Sequence, residues 1–436
     1  SEECAGTFCS GSRRATELMA LTAARANQAR NAITAIFAIQ GVIGVTQIPR
    51  IPELIDQVGA DFGIWGLITG LAGLGGMLGL LFTSKLIAVF GTKNVTIVGG
   101  SVQALFTVAL IFAHDPMAYL IFTALGALSG STLNIAINSQ SVALQKAMNR
   151  VIIGRFHASW SIGATASAVL SGILATFMPL WLHLLIVPTI GIFALIILGR
   201  NLLRSEEDGH GSGQPSAKKS SFFKMPNQVW LLSAGLFTGI FGELALMDWS
   251  AVYSKTVLSL DAGRGAIPYA AFSLAMIIGR LSINKLGNKW HISSVARVAS
   301  MLAGVSLGLG VLFGAVIAPT NQELALVIVS VFFFFTGLGS APMVPSFFSA
   351  AGYVKGLNTA QVLARMSFMN SVAIIGAKYL MGVLALNVGL AMAFAFPMVL
   401  FFIAGILAGV VAKRAKASET MASAYPTTGA MSITED

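Results

Sequence analysis

Residues 230–253 read WLLSAGLFTGIFGELALMDWSAVY. The stretch is apolar and long enough to cross a bilayer as a helix. It nevertheless contains Glu243 near its middle and Asp248 toward its far end. Burying an ionisable side chain at that depth costs roughly 2.5–3.5 kcal/mol on scales from membrane-insertion experiments, which give lower costs than simulations. Both acids are therefore candidate functional residues.

The composition of the whole chain extends this interpretation. The 436 residues are 56% hydrophobic and 10% charged, whereas soluble domains carry about 25% charged residues. This composition predicts an all-α membrane protein with twelve transmembrane helices. They are expected near 31–49, 62–84, 95–113, 117–144, 156–178, 181–200, 227–253, 265–284, 294–318, 323–350, 360–386 and 389–412.

A polar segment at 201–226, rich in Gly, Ser and Lys, divides the spans six plus six. We therefore predict an N-terminal bundle (31–200) and a C-terminal bundle (227–412), joined by a flexible linker. Residues 1–30 and 413–436 are expected to be flexible tails. Cys4 and Cys9 lie in the first tail; a disulfide is not expected if that tail is cytosolic, and their spacing without further Cys or nearby His indicates no metal site.

The positions of the basic residues predict the topology. Of the 27 Lys and Arg residues, 23 lie on one side of the predicted membrane, which puts both termini in the cytoplasm. The net charge of +10 resides in short loops and tails between apolar spans. This placement favours a chain surrounded by membrane lipids and argues against a nucleic-acid partner.

The two halves contain similar short basic loops, at 79–94 and 279–290. Lys85, Gly91 and Arg280 lie in or beside them, and the glycine permits a tight turn. Pro342 and Pro345 are expected to kink the tenth span. We predict that these five residues take part in gating between two six-helix pseudo-repeats.

Spans four and five supply polar candidates. Asn134 and Asn138 are four residues apart and share a helix face, where their amides either bind a polar solute or bond neighbouring helices. Trp160 either stacks on a ligand or belongs to the interfacial belt. His157 either carries a proton or caps a helix end.

Span eleven adds the basic residue Lys378, well below the membrane surface. Counting along the helices puts Lys378 between Glu243 and Asp248 in depth. We expect it to form an ion pair with one of these acids or to hold an anionic substrate. Glycines at 235, 239 and 242 make local unwinding of span seven plausible, which would let both acids approach one cavity.

Several segments together resemble the major facilitator superfamily, and within it the fucose-permease-like branch and related bacterial permeases. They are QIPRIP at 47–52, NIAINSQ at 134–140, FHASWSIG at 156–163, DWSAVY at 248–253, GRL at 279–281 and 344–352. The resemblance covers 31–412 and implies a twelve-helix fold, an inner-membrane location and transport by alternating access. It also implies a permease for sugar-like solutes.

Some positions depart from the family's pattern. Thr83 and Ser84 stand where the gating loop usually has an Asp, and Asn284 stands in the second copy. Asn134 occupies the position of the fourth-span carboxylate that helps proton coupling in fucose-type permeases. Proton symport of that type therefore does not carry over residue by residue, and Glu243 and Asp248 are the remaining candidate acids.

We find no motif of an enzyme or of a cofactor site. The expected function is secondary, proton-coupled transport of a small polar solute, sugar-like or an organic anion, by a monomer. The residues expected to bind substrate are Asn134, Asn138, Trp160, Asp248, Trp249 and Gln47, and those expected to carry the proton are Glu243, Asp248 and His157. A proton-driven exporter of amphipathic compounds and a transporter-like sensor are the alternatives.

Overall fold

A computed structural model describes residues 22–148, 152–208, 226–287, 289–351, 354 and 359–424. Every regular element in these ranges is helical. The first half contains α1 (Ala23–Val45), α2 (Ile51–Val58), α3 (Phe62–Ala109), α4 (Pro116–Met148), α5 (Ile153–Ala175) and α6 (Leu180–Gly199). Short 3-10 turns at Ile48–Arg50 and Leu110–Phe112 follow α1 and α3.

The second half begins with the helix that contains Glu243. Its elements are α7 (Asn227–Thr256), α8 (Ala262–Gly265), α9 (Ile267–Gly287), α10 (Ile292–Ile317), α11 (Gln322–Ser340), α12 (Met343–Ala351), α13 (Thr359–Val388), α14 (Leu390–Ala393) and α15 (Ala395–Ala424). The all-α prediction is confirmed.

The number of spans agrees with the twelve predicted. Eleven helical segments of the described chain are long and apolar enough to cross a membrane, and one of them, Phe62–Phe112, has 51 residues. At 1.5 Å per residue this segment is about 75 Å long, more than twice the hydrocarbon thickness of about 30 Å. It therefore contains two spans.

Gly91 separates these two spans. Its φ of 74° lies in the left-handed region that favours glycine, and the helical geometry of α3 is interrupted there. A Cβ at this position would also collide with the hydroxyl of Ser205. The predicted turn in the first basic loop is thus confirmed, and two independent constraints select glycine at it.

Pro342 marks a comparable break in the tenth span. Helix α11 ends at Ser340 and α12 begins at Met343, so the span divides into two helices at the first proline. Pro345 lies inside α12, in its first turn, where a missing backbone N–H is tolerated. The predicted kink is confirmed, and its role in gating stays a prediction.

The described part of each predicted tail is helical. Helix α1 begins at Ala23, because the Thr22 hydroxyl caps it by accepting from the Arg25 backbone N–H at 3.3 Å. Helix α15 continues to Ala424, since residues 413–424 are mostly Ala, Lys, Arg, Glu and Met, which favour helix. Residues 1–21 and 425–436 lie outside the described residues.

The chain divides into two compact units. The first comprises residues 1–220 with 260–270 and 378–386, and the second comprises 221–259, 271–377 and 387–436. Ile33 and Phe37 of α1 pack in the core of the first unit with Leu133, Phe156 and Leu195 from α4, α5 and α6. Phe37 and Phe156 stack with ring centroids 5.7 Å apart.

Glycines allow helices of the first unit to approach closely. A Cβ at Gly163 of α5 would collide with the backbone of Ala38 in α1. A Cβ at Gly66 of α3 would lie 2.5 Å from the carbonyl oxygen of Lys378 and 2.9 Å from the Cα of Gly382 in α13. Small residues at such crossings are typical of membrane helices, because association there relies on close packing.

The start of the predicted linker is ordered and packed, in contrast to the expected flexibility. Leu202 and Leu203 are completely buried in the core of the first unit. The Gln140 side chain bonds Leu203 at both its N–H (2.9 Å) and its carbonyl (2.8 Å). The same amide donates to Thr92, whose hydroxyl donates to Asp208. Residues 209–225 lie outside the described residues.

Arg25 holds the same segment from the other side. Its guanidinium makes a bidentate pair with Glu207 at 3.0 and 2.7 Å and donates to the carbonyls of Asn201 and Leu202 at 2.7 Å each. The hydrogen bond from Arg25 lowers the pKa of Glu207 below its ordinary value. The sequence 201–208 is therefore docked by charge as well as by apolar contacts.

The second unit is built around α7. Val229, Leu232 and Leu236 pack with Phe347 of α12, Met366 of α13 and Ala408 of α15. The Tyr253 hydroxyl donates to the Val311 carbonyl of α10 at 2.7 Å. This helix is therefore held on several sides over most of its length.

Candidate transport site

Glu243 forms an ion pair with Arg280 in the second unit. The Oε2 atom of Glu243 on α7 lies 3.3 Å from the Nη2 atom of Arg280 on α9. The side chains are 15% and 38% exposed, respectively. The other carboxylate oxygen, Oε1, is buried and has no hydrogen-bond partner among the described residues. An incompletely satisfied carboxylate is a candidate for a proton or a polar ligand.

The glycines of α7 have a different role from the one predicted. The helix is continuous from Asn227 to Thr256, without local unwinding. A Cβ at Gly235 or Gly242 would instead collide with the ring of Phe347 or Phe401, and a Cβ at Gly239 would lie 3.0 Å from Met343. Glycine therefore serves close packing here, and the regular helix keeps Asp248 on a different face from Glu243.

The expected partner of Lys378 was an acid of span seven. Of the two acids, Glu243 forms an ion pair with Arg280 of α9. Lys378 belongs to the first unit and Asp248 to the second. Their pairing stays a prediction.

Asn134 and Asn138 do share a face of α4. The Asn138 amide donates to both the carbonyl oxygen and the side-chain oxygen of Asn134, each at 2.8 Å. Asn134 is exposed and Asn138 is half-buried. One amide orients the other, and the pair keeps donors and acceptors free for a solute.

The remaining predicted site residues differ in their accessibility. His157 is exposed and contacts the Phe37 ring edge-on at 5.4 Å, and Trp160 is half-buried. Trp249 is buried, which leaves little of its ring for a solute. Lys85 is exposed on α3. Their predicted roles stay predictions.

Several buried polar atoms were not identified as site atoms from the sequence. In the first unit, the Oε1 atoms of Gln40 and Gln47 lack a hydrogen-bond partner among the described residues; only Gln47 was predicted. In the second unit, the same holds for Asn370 Oδ1 and the hydroxyls of Ser250 and Ser254. A bound solute or water would satisfy such atoms. The sequence feature that could have identified these residues is a polar residue within an apolar span.

Arg50 forms a second buried network, at the other end of α1 in the first unit. The guanidinium is 1% exposed and pairs bidentately with Glu53 at 2.6 Å. It also lies 3.3 Å from His183 Nδ1 and donates to the Met178 carbonyl. A guanidinium only donates, so His183 Nδ1 accepts. The imidazole is therefore neutral, and its Nε2–H lies 2.9 Å from the Thr46 hydroxyl.

The fold and these side chains define a class of protein before any comparison. A twelve-span helical chain with a carboxylate, amides and guanidinium groups inside its spans is a membrane transport protein in its general design. The chain belongs to the Major Facilitator Superfamily, because residues 33–377 match the sequence model of that family. The finer resemblance to the fucose-permease-like branch stays a prediction.

Known relatives agree with this family. The chain is 27% identical over 288 residues to an uncharacterized transporter of Sinorhizobium fredii, covering 64% of this chain and 69% of the relative. It is 29% identical over 282 residues to an uncharacterized MFS-type transporter of Yersinia pestis, covering 62% and 66%. These relatives are transporters, in agreement with the expectation that the chain is not an enzyme.

Solved structures show the same fold. A bacterial homolog of the human lysosomal transporter Spinster, in an inward-facing and unoccupied conformation, superposes with a TM-score of 0.67. The two sequences are 13% identical, and the match covers 89% of this chain and 97% of that one. The nucleoside transporter NupG gives a TM-score of 0.63 at 11% identity, covering 89% and 98%.

Proposed function

We propose that the protein is a secondary active transporter that moves a small polar solute by alternating access, coupled to protons through Glu243. The observation that carries this proposal is the state of the Glu243 carboxylate. One oxygen is buried without a partner, and the other has a single long contact to Arg280. A proton on this carboxylate would remove its charge and weaken that ion pair. Arg280 would then be released, which supplies a link between protonation and movement of α9.

The substrate class follows from the polar groups in the spans. The Asn134–Asn138 pair and the unsatisfied Gln40 and Gln47 oxygens offer donors and acceptors without net charge. Such groups suit hydroxyl-rich, sugar-like solutes. The buried Arg365 in the second unit adds a cation, which keeps organic anions as the other candidate class.

The family and the bacterial relatives support placement in a bacterial inner membrane. The asymmetry of basic residues supports cytoplasmic termini. We propose a monomer as the transporting unit, because each chain supplies both halves of the fold.

The substrate is found first by thermal unfolding of the detergent-purified protein with sugars, nucleosides, amino acids, carboxylates and amphipathic cations. A ligand that binds only the folded state raises the melting temperature. Stabilisation by sugars or carboxylates supports the proposal. Stabilisation only by amphipathic cations would replace it with the exporter.

The coupling step is then tested in proteoliposomes with the identified substrate. Glu243→Gln should abolish uphill uptake driven by a proton gradient but retain exchange between internal and external substrate. Glu323→Gln is the matched control, because it makes the same substitution in the first turn of α11, outside the ion pair of Glu243 and Arg280. Uphill uptake that survives in Glu243→Gln would contradict coupling through Glu243.

A further inference from the structure

The second unit contains a cavity of about 570 Å³ between the start of α10 and the end of α15. Arg297 and Lys413 contribute a cation from each helix, and Val298 and Met301 form part of an apolar wall. None of the described residues that line the cavity is acidic. The lining thus combines two positive charges with apolar side chains.

Glycines shape this cavity. Gly405 brings α15 close to α10, where an added Cβ would lie 3.2 Å from the Arg297 carbonyl oxygen. One turn further along, a Cβ at Gly409 would lie 3.1 Å from Cδ of Arg297, within the cavity lining. The absence of a side chain at Gly409 therefore keeps space open beside the guanidinium.

Both cations are available to a ligand. Arg297 and Lys413 are exposed, and the described part of the chain gives neither of them a hydrogen-bond or ion-pair partner. Two cations whose described surroundings in the cavity include no acidic residue create a local field that attracts an anion. An oxyanion between the two helices would be contacted by both.

The protein surface beside the cavity is apolar. On α10, Val298, Leu302 and Val305 follow a helical stripe, and Val298 is 71% exposed. On α15, Val399, Ile403 and Ile406 form a similar exposed stripe. The stripe on α15 continues at the same helical spacing to Lys413, and the stripe on α10 ends beside Arg297. Cationic ends on exposed apolar stripes match the order of headgroup and acyl chain in a phospholipid.

The depth of the cavity agrees with a headgroup position. Trp290 lies two residues before the start of α10 and is half exposed, with the Nζ of Lys289 lying 4.6 Å from its ring centre. Tryptophan with a neighbouring lysine is typical of the membrane–water interface. The start of α10 therefore lies where phosphate groups of one leaflet are found, and the predicted topology makes that leaflet the cytoplasmic one.

We propose that this cavity binds the phosphate-bearing headgroup of an anionic phospholipid, with the acyl chains lying along the exposed stripes of α10 and α15. Arg297 and Lys413 contact the headgroup, and Val298 and Met301 contact the glycerol and upper acyl region. A soluble phosphate would use the two cations but would leave this apolar wall unused.

The test titrates phosphatidylglycerol into the detergent-purified, full-length protein and counts bound lipids by native mass spectrometry, with phosphatidylcholine as the neutral reference. The wild type should bind phosphatidylglycerol more tightly. Each basic residue near a membrane surface contributes about fivefold in affinity, so R297Q/K413Q should weaken phosphatidylglycerol binding about 30-fold. R297K/K413R keeps both charges and should retain binding.

The control variant K285Q/K289Q removes two exposed lysines from the same end of the unit and should bind phosphatidylglycerol like the wild type. Equal binding of both lipids, an unchanged R297Q/K413Q or an equal loss in K285Q/K289Q would overturn the proposal. Displacement of phosphatidylglycerol by millimolar inorganic phosphate would reassign the cavity to a soluble anion. Should R297Q/K413Q not fold, the single variants are each expected to lose about fivefold.

Discussion

The carboxylate of Glu243 and the guanidinium of Arg280 face each other across 3.3 Å on neighbouring helices α7 and α9. The Glu243 side chain is mostly buried, whereas more than a third of Arg280 is exposed. An ion pair of this kind joins stability to function, because the acid proposed to carry the proton is also half of a structural contact. A single and a double variant of this ion pair distinguish its role in stability from its proposed role in transport.

We expect Arg280→Gln to destabilise the second unit, since it leaves the Glu243 carboxylate without its cation. Breaking a fully buried pair costs about 3–5 kcal/mol, and the exposure of Arg280 should reduce this to about 2 kcal/mol. Thermal unfolding in detergent measures the effect. The double variant E243Q/R280Q removes both charges and should regain most of the stability, while uphill transport stays lost. An Arg280→Gln protein as stable as the wild type would show that the pair contributes nothing.

The contact between Gly66 and Gly382 gives a second prediction. Gly66→Ala would place a methyl group 2.5 Å from the Lys378 carbonyl oxygen, which cannot move without displacing α13. Overpacking of this kind costs typically about 1–3 kcal/mol, and we expect a correspondingly lower melting temperature.

Gly76→Ala on the same helix is the matched control. A Cβ there would meet only the Ala127 carbonyl oxygen, at 3.8 Å. Alanine favours helix over glycine by up to about 1 kcal/mol, so this variant should be neutral or stabilised. Equal behaviour of the two variants would mean that α3 and α13 adjust without cost.

Much of the fold was predictable because it depends on local sequence. The length of the apolar stretches predicts the spans, and the left-handed turn requires a glycine, Gly91. Pro342 interrupts its span regardless of which helices are its neighbours. The pairing of Asn134 with Asn138 is local as well, since four residues make about one helical turn. Such features require no knowledge of which helices are adjacent.

The site was less predictable because its partners come from distant parts of the sequence. Counting residues along a helix gives the depth of a side chain but not its neighbours, so it did not indicate that Arg280 lies beside the carboxylate of Glu243. The network of Arg50 depends on His183, more than a hundred residues away. Composition was also misleading at 201–208, where Leu202 and Leu203 pack into the core of the first unit.

The docked segment at 201–208 predicts a pH-dependent effect at Glu207. Hydrogen bonds from Arg25 lower the pKa of Glu207 below the value it has in an unfolded chain, about 4.5. A carboxyl with a lowered pKa contributes stability above the unfolded pKa and loses it as the pH falls through the folded value. Glu207→Gln should therefore speed hydrogen exchange in residues 200–208 at pH 7. This difference from the wild type should begin to shrink as the pH falls below about 4.5 and should vanish once the pH is below the lowered pKa of the folded protein.

Glu206→Gln provides the control for this experiment. Glu206 is adjacent in sequence but exposed, and removing its charge should leave exchange unchanged at every pH. If both variants exchange alike, the segment is held by its leucines and by Gln140 rather than by the ion pair with Arg25.

The network around Arg50 predicts a strong dependence of stability on Glu53. Glu53→Met would leave a guanidinium that is 1% exposed without a carboxylate, and the neutral His183 cannot replace that charge. Removing one partner of a buried ion pair costs about 3–5 kcal/mol. We expect the melting temperature to fall accordingly.

A double-mutant cycle separates the ion pair from simple loss of packing at Glu53. R50M/E53M removes both charges and replaces them with apolar side chains, so it should be more stable than Glu53→Met, because no buried charge remains. If the double variant is instead the less stable protein, Arg50 stabilises the first unit mainly through its contacts with His183 and the Met178 carbonyl. The carboxylate of Glu53, about a third of which is exposed, would then contribute little of its own.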